Sequence, residues 1–245
     1  MKPLSRAGTA LCLQGLVHAR SHAGIRFELR VPDMCLAPGE FTAVVGPSGC
    51  GKSTLLDILG LVMQPDRADI FTLQDHGRCL DLTCLGTSAR AAVRSQNIGY
   101  VLQTGGLLPF LTVRQNIALP LALNRLKDNR RIRELAANLG IAEQLDKRPA
   151  FLSGGQRQRA AIARALVHCP GLVLADEPTA AVDELTAMEI RDQFQCLGKT
   201  LGTTTIMVTH DRSLLRGRVD RIFSFRLERA AHGVTLSTLH EVEAL

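Results

Sequence analysis

Apolar and polar positions alternate along this chain in short runs, separated by stretches of helical spacing. Ile25, Phe27, Leu29 and Val31 alternate with Arg26, Glu28 and Arg30, which predicts a half-buried strand. Pro38-Gly39 marks a turn, and Phe41–Val45 predicts a buried strand that runs straight into a Gly-rich segment. Ser53–Leu61 has the apolar density of a helix packed on a sheet. Ile98–Leu102, Leu172–Ala175 and the β-branched run Thr204–Thr209 predict further strands, with Ile222–Phe225 and Val234–Leu236 as closing strands. Gly155–His168 and Glu184–Cys196 predict helices. From about Thr104 to Pro149 the strand signals vanish, and Val113–Leu123 and Arg131–Leu139 take helical spacing. Strands alternating with helices predict an α/β core on a mainly parallel sheet, with a helical insertion.

Composition narrows the functional classes. With 245 residues the chain can bury an ample core. Aromatics make up 4%, with no Trp and one Tyr, so few side chains are on hand to stack against single-stranded nucleic acid. The net charge of +6 is spread out, and its densest cluster, Lys127–Arg133, reads as the start of a solvated helix. No nucleic-acid partner is expected. The seven cysteines are odd in number and lack a C-x-x-C pair, which predicts reduced thiols rather than a zinc ribbon or a disulfide framework. Cys79 and Cys84, near His76, lack the second pair a metal site needs. The N-terminus lacks the apolar core of a signal peptide, and no apolar run approaches the ~20 residues that span a bilayer. Any membrane part is therefore expected on another chain.

The Gly-rich segment carries the chemistry. Gly46-Pro47-Ser48-Gly49-Cys50-Gly51-Lys52-Ser53-Thr54 fits G-x-x-x-x-G-K-[ST] between a strand and a helix. Glycines let consecutive N–H groups curl inward as an anion nest, and the helix start adds its positive dipole end. Lys52 is expected to neutralise β- and γ-phosphates and Ser53 to ligate Mg²⁺. The thiol of Cys50, beside the phosphates, is a candidate for oxidation. Leu172–Ala175 delivers Asp176 and Glu177 to a strand's C-terminal end, where open α/β sheets bind ligands. Asp176 is placed to hold Mg²⁺ and Glu177 to polarise an attacking water. Gln103 follows another strand and can meet Mg²⁺ or that water while opening the helical insertion. His210, at the end of Thr205–Thr209, can donate to a γ-phosphate. Ser153-Gly154-Gly155-Gln156 forms a second anion site at a helix N-terminus, and across a dimer interface it would close over ATP held by a second copy. Arg157, Arg159 and Arg164 on that helix read as surface charge.

Together GPSGCGKST at 46–54, Gln103, LSGGQRQR at 152–159, LVLADEPT at 172–179, Asp183 and Thr209-His210-Asp211 resemble the ATP-binding-cassette (ABC) ATPases over nearly the whole chain. The segments 105–121 and 163–179 look like the lipoprotein-releasing and macrolide-exporter branch. The resemblance implies an α/β P-loop NTPase fold with a mainly parallel sheet, an N-terminal antiparallel β-subdomain and a helical subdomain at about 104–160. All of this would lie in one nucleotide-binding domain, 1–245. It also implies an ATPase using ATP and Mg²⁺, with a second copy paired head-to-tail and a separate transmembrane permease docked near the Gln103 region. Such a protein would sit in the cytoplasm, peripheral on the inner face of the membrane. A regulatory cassette acting in envelope division or secretion is the alternative, with a ribosome- or nucleic-acid-associated ATPase behind it.

Two departures bear on the site. Family members usually stack an upstream aromatic on adenine, whereas Leu16–Ile25 offers only His18, Arg20 and His22. The segment before Asp183 reads Ala180-Ala181-Val182, where a Ser or Asn and a Leu are commoner.

Overall fold

The structure, a computed structural model, describes residues 10–22, 25–75, 77–180, 182–230 and 234–243. Its strands and helices follow in the order β1 (Leu11–His22), β2 (Ile25–Leu36), β3 (Phe41–Val45), α1 (Lys52–Leu59), β4 (Ile70–Asp75), β5 (Arg78–Asp81), α2 (Thr87–Asn97) and β6 (Ile98–Val101). Then come α3 (Val113–Leu123), α4 (Asn129–Asn138), α5 (Gly154–Leu166), β7 (Leu172–Asp176), α6 (Glu184–Leu201), β8 (Thr204–Thr209), β9 (Arg221–Ala230) and β10 (Val234–Val242).

One sheet joins all ten strands in the order β5-β4-β1-β2-β10-β9-β3-β8-β7-β6. The run β9-β3-β8-β7-β6 is parallel, and β5-β4-β1-β2 is antiparallel. β10 links the two halves, antiparallel to β9 and parallel to β2. The central strands are buried on both faces, so they read as unbroken apolar runs.

Strand periodicity distributes the core. Phe41, Ala43 and Val45 join a cluster with α3, α4, α5 and α6 on one face, while Val44 joins β1, β2 and α1 on the other. Val173 and Ala175 of β7 face the first cluster, and Leu172 and Leu174 the second. α3 spans the predicted residues and α4 and α5 lie close to theirs. Strands β1, β4 and β5 and helix α2 were not individually predicted. α2 buries only Asn97, so it carries no apolar stripe to betray it.

The thiol expectation needs correction. The β1–β2 register sets Cys12 opposite Cys35, and the two form a disulfide, while Cys50, Cys79, Cys84, Cys169 and Cys196 remain free. The sequence separation of 23 hid a cross-strand neighbour. His76 lies outside the described residues.

Candidate functional site

The turn from β3 to α1 is built by glycines in the left-handed region, Gly49 at φ 78° and Gly51 at φ 105°. A Cβ at either position would be strained, so these residues let the loop curl over the start of α1. The Lys52 ammonium donates to the carbonyl of Gly46 at 2.8 Å and to that of Pro47 at 3.0 Å. Ser48, Gly49, Gly51, Lys52, Ser53 and Thr54 line a cavity of about 820 Å³, and Gln103, Asp176 and Glu177 face them across it. Gly46, Pro47 and Cys50 do not line it: Cys50 is buried and Pro47 is exposed.

The Cys50 thiol turns beneath the loop and is fully buried, and burial pushes its pKa up against the opposing pull of Lys52. The thiol is therefore protected and weakly nucleophilic, which overturns its reading as an oxidation-prone group.

β7 and β8 end side by side, and this brings the acidic pair to the loop. Burial raises the Asp176 pKa, and the Glu177 charge adds to the rise while Lys52 opposes it. A cation bound there would relieve that cost. Glu177 adopts φ 43°, left-handed backbone for a residue with a Cβ, at a cost of about 1–2 kcal/mol. Its N–H is held by the carbonyl of Val208 at 2.9 Å. The twist turns the carboxylate toward two other predicted residues. The Gln103 amide donates to one oxygen at 3.4 Å, and Nδ1 of His210 lies 3.2 Å from the other. His210 is 65% exposed whereas Glu177 is 19% exposed, so the imidazole stands at the rim.

Ser153–Gln156 behaves differently. Ser153 caps α5 in a reciprocal box: its hydroxyl accepts from the N–H of Gln156 at 3.2 Å, and the Gln156 amide oxygen accepts from the Ser153 N–H at 3.0 Å. The first-turn N–H groups of Gly154 and Gly155 have no partner within the helix. This loop lines its own cavity of about 380 Å³ with Val182, Asp183 and Thr186, apart from Gly46–Thr54. Asp183 caps α6 by accepting from the N–H of Thr186 at 3.0 Å, and this bonding lowers its pKa.

Several side chains have roles the sequence did not disclose. Phe27 lines the phosphate cavity, two positions beyond Leu16–Ile25 and masked by the strand alternation of β2. Of the three substitutes for an upstream aromatic, Arg20 reaches the cavity and donates to the Thr54 hydroxyl. His18 is buried beside Asp66, 3.7 Å away, and the His22 side chain lies outside the description. Two of the α5 arginines read as surface charge in fact hold carbonyls: Arg157 donates to Leu152 at 2.6 Å, and Arg164 to Gly106 at 2.7 Å and Gly105 at 2.8 Å. Arg164 thus ties α5 to the segment that follows Gln103.

A second hollow of about 790 Å³ lies between α2, β6, α3 and α5. Val62, Leu102 and Leu123, all exposed, sit on its wall with Arg94, Arg164 and His168. Burial lowers the His168 pKa, the nearby Arg131 charge lowers it further, and the Ile98 backbone offsets this in part.

A curled glycine loop with its Lys, two carboxylates, a Gln and a His around one cavity defines a phosphate-loop nucleotide site on a mixed α/β sheet. The chain belongs to the ABC transporter family, whose profile matches residues 29–180. It is 41% identical over 76% of its length to the lipoprotein-releasing system ATP-binding protein LolD of Pseudomonas fluorescens, of which it covers 81%. It is also 41% identical to the macrolide export ATP-binding/permease protein MacB of Syntrophobacter fumaroxidans, over 76% of this chain and 26% of that protein. Among solved structures, the dimeric post-hydrolysis form of the cassette MJ0796 bound to ADP and Pi matches with a TM-score of 0.76 and 28% identity. That match covers 96% of this chain and 100% of that one. The chain is an ATP-binding and ATP-hydrolysing transporter subunit, similar to the lipoprotein-releasing and macrolide-export branch.

Proposed function

We propose that residues 1–245 form one nucleotide-binding domain, with a helical subdomain at 104–160, that hydrolyses ATP between two copies of itself and drives a separate membrane permease. The observation that carries this reading is the separation of Ser153–Gln156 from Gly46–Thr54 within one chain, which leaves the helix N-terminus free to meet phosphates on a second copy.

In this reading Gly46–Thr54 cradles the phosphates and Lys52 neutralises them. Asp176, Ser53 and the Gln103 amide offer hard oxygen donors on one cavity, which fits Mg²⁺ completed by phosphate oxygens and water. The ion supplies charge neutralisation of the transferring phosphoryl group. Glu177 accepts a proton from the attacking water, His210 donates toward the γ-phosphate, and the strained backbone of Glu177 keeps its carboxylate at the cavity mouth. Ser153, Gly154, Gly155 and Gln156 close over the partner's ATP.

The groove of Val62, Leu102 and Leu123 is suited to an amphipathic permease helix bearing a carboxylate for Arg94. No helix among the described residues is long and apolar enough to cross a membrane. In this reading the permease holds the protein peripherally on the cytoplasmic face. The hydrolysis is used for export or for mechanical pulling on envelope components.

Glu177→Gln tests this directly. With ATP and Mg²⁺, the variant is expected to run as a stable dimer by light scattering, with turnover reduced by about 10²–10⁴-fold. Wild-type turnover in that variant would remove Glu177 as the base, and a monomer at saturating ATP would remove the shared site.

A further inference from the structure

The phosphate loop is held from beneath by a residue almost two hundred positions away in sequence. Ser237, in the middle of β10, is fully buried, and its hydroxyl donates to the carbonyl of Cys50 at 2.5 Å. Among the described residues this is the one side-chain hydrogen bond from outside the loop that reaches a loop carbonyl. Around it the packing is tight. A Cβ placed on Gly46 would come within 2.7 Å of the Cys50 sulfur and 3.1 Å of the Phe225 ring on β9. The last two strands therefore form the floor on which the loop rests.

We infer that Ser237 is a positioning residue for nucleotide binding, acting through the peptide that joins Cys50 to Gly51. A trans peptide is planar, with its C=O and N–H on opposite edges. Fixing the Cys50 carbonyl toward β10 therefore aims the Gly51 N–H the other way, and Gly51 lines the phosphate cavity. Gly51, at φ 105° and without a Cβ, offers little resistance to rotation of that peptide. Rotation would point a carbonyl dipole at the phosphates in place of a donor. The Ser237 bond removes this alternative before nucleotide arrives, so the nest is preorganised.

The inference rests on the reading of Gly46–Thr54 as the ATP-holding loop, and its test separates the two. The Kd for ATP is measured on the full chain by displacement of a fluorescent ADP analogue in the presence of Mg²⁺, for wild type, Ser237→Ala, Ser237→Thr, Ser237→Val and Lys52→Ala. Thr and Val have nearly the same shape and differ in the hydroxyl, so packing damage is common to both. Ser237→Ala and Ser237→Val are expected to weaken ATP and ADP by about tenfold, with Ser237→Thr close to wild type. The melting temperature of the nucleotide-free protein reports stability separately, and Ser237→Val, which leaves the buried Cys50 carbonyl unpaired, should melt below Ser237→Thr. Unchanged affinity in Ser237→Ala, or equal losses in Thr and Val, overturns the positioning role. If Lys52→Ala also binds like wild type, the loop assignment itself falls, and the inference with it.

Discussion

The chain carries two loops that open helices with first-turn N–H groups lacking helical partners, yet they are built on opposite plans. Gly46–Thr54 uses left-handed glycines, is underpinned by buried strands, and faces carboxylates delivered by β7, two places along its own sheet. Ser153–Gln156 starts from an extended N-cap at φ −66°, ψ 166°, is held by its own capping box, and lines a smaller cavity of about 380 Å³ with Asp183. The first is a curled nest with its Lys and two carboxylates around one cavity. The second is a plain helix end, whose unpaired N–H groups need a ligand brought from elsewhere. The same helix-end physics thus comes with its own Lys and an acidic pair in one place and without them in the other.

The largest effect that separates the loops is expected from Lys52→Ala. Removing the ammonium deletes a charge-assisted contact to phosphate and should weaken ATP binding by about 100-fold, roughly 3 kcal/mol. Titration calorimetry at low protein concentration checks this, and a loss below threefold would place the phosphates elsewhere. Ser153→Ala should act on the other loop alone. ATP affinity of the dilute monomer should hold, ATP-driven dimerisation should weaken at least tenfold, and loss of the cap should cost about 1 kcal/mol of stability. Equal loss of monomer affinity would mean that this loop works on its own chain's nucleotide, and the contrast between the loops would disappear.

A smaller effect concerns the link between them. Arg164 holds the carbonyls of Gly105 and Gly106 from the helix that Ser153 caps. Arg164→Met, keeping the aliphatic length, is expected to leave ATP affinity intact while lowering turnover severalfold, because Gln103 loses its fixed approach to Glu177. Steady-state kinetics in which KM rises while kcat holds would contradict it.

The smallest expected effect is a pH dependence of stability. Burial holds the His168 pKa below its ordinary 6.5, so the unfolded chain binds this proton more readily than the folded one. Stability from this group is complete above pH 6.5 and is lost as pH falls from there through the folded pKa. Arg131, close enough to disfavour the imidazolium, acts in the same direction, and Arg94 and Arg164 share its groove. Melting curves from pH 7.5 down to pH 5 should show a decline that His168→Gln flattens, and parallel curves for both proteins would dismiss the assignment.

Much of the site could be read directly because its chemistry is local. A phosphate loop needs glycines, a Lys and a hydroxyl at fixed spacing, and the strands before it and before Asp176 are buried on both faces, so apolar runs mark them. The same applies to Gln103, His210 and the Ser153 cap, each at the end of an element with a clear period. The antiparallel edge was harder, because β4 and β5 are short and partly exposed, and α2 buries almost nothing. Phe27 was hidden by being a correct strand residue as well as a cavity residue. Arg164 looked like a surface charge until the segment after Gln103 was folded against it.

The amino-acid order by itself determined the ATP chemistry, the class of fold and the capped helix start at Ser153–Gln156, since each rests on backbone conformation and residue type within a few positions. The tertiary structure alone decided the pairing of Cys12 with Cys35, the meeting of Gln103, Glu177 and His210, the direction in which Ser153–Gln156 faces, and the hold of Ser237 on the loop. These depend on strand register and sheet order, which join residues from 23 to 187 positions apart, and no local spacing encodes such a distance.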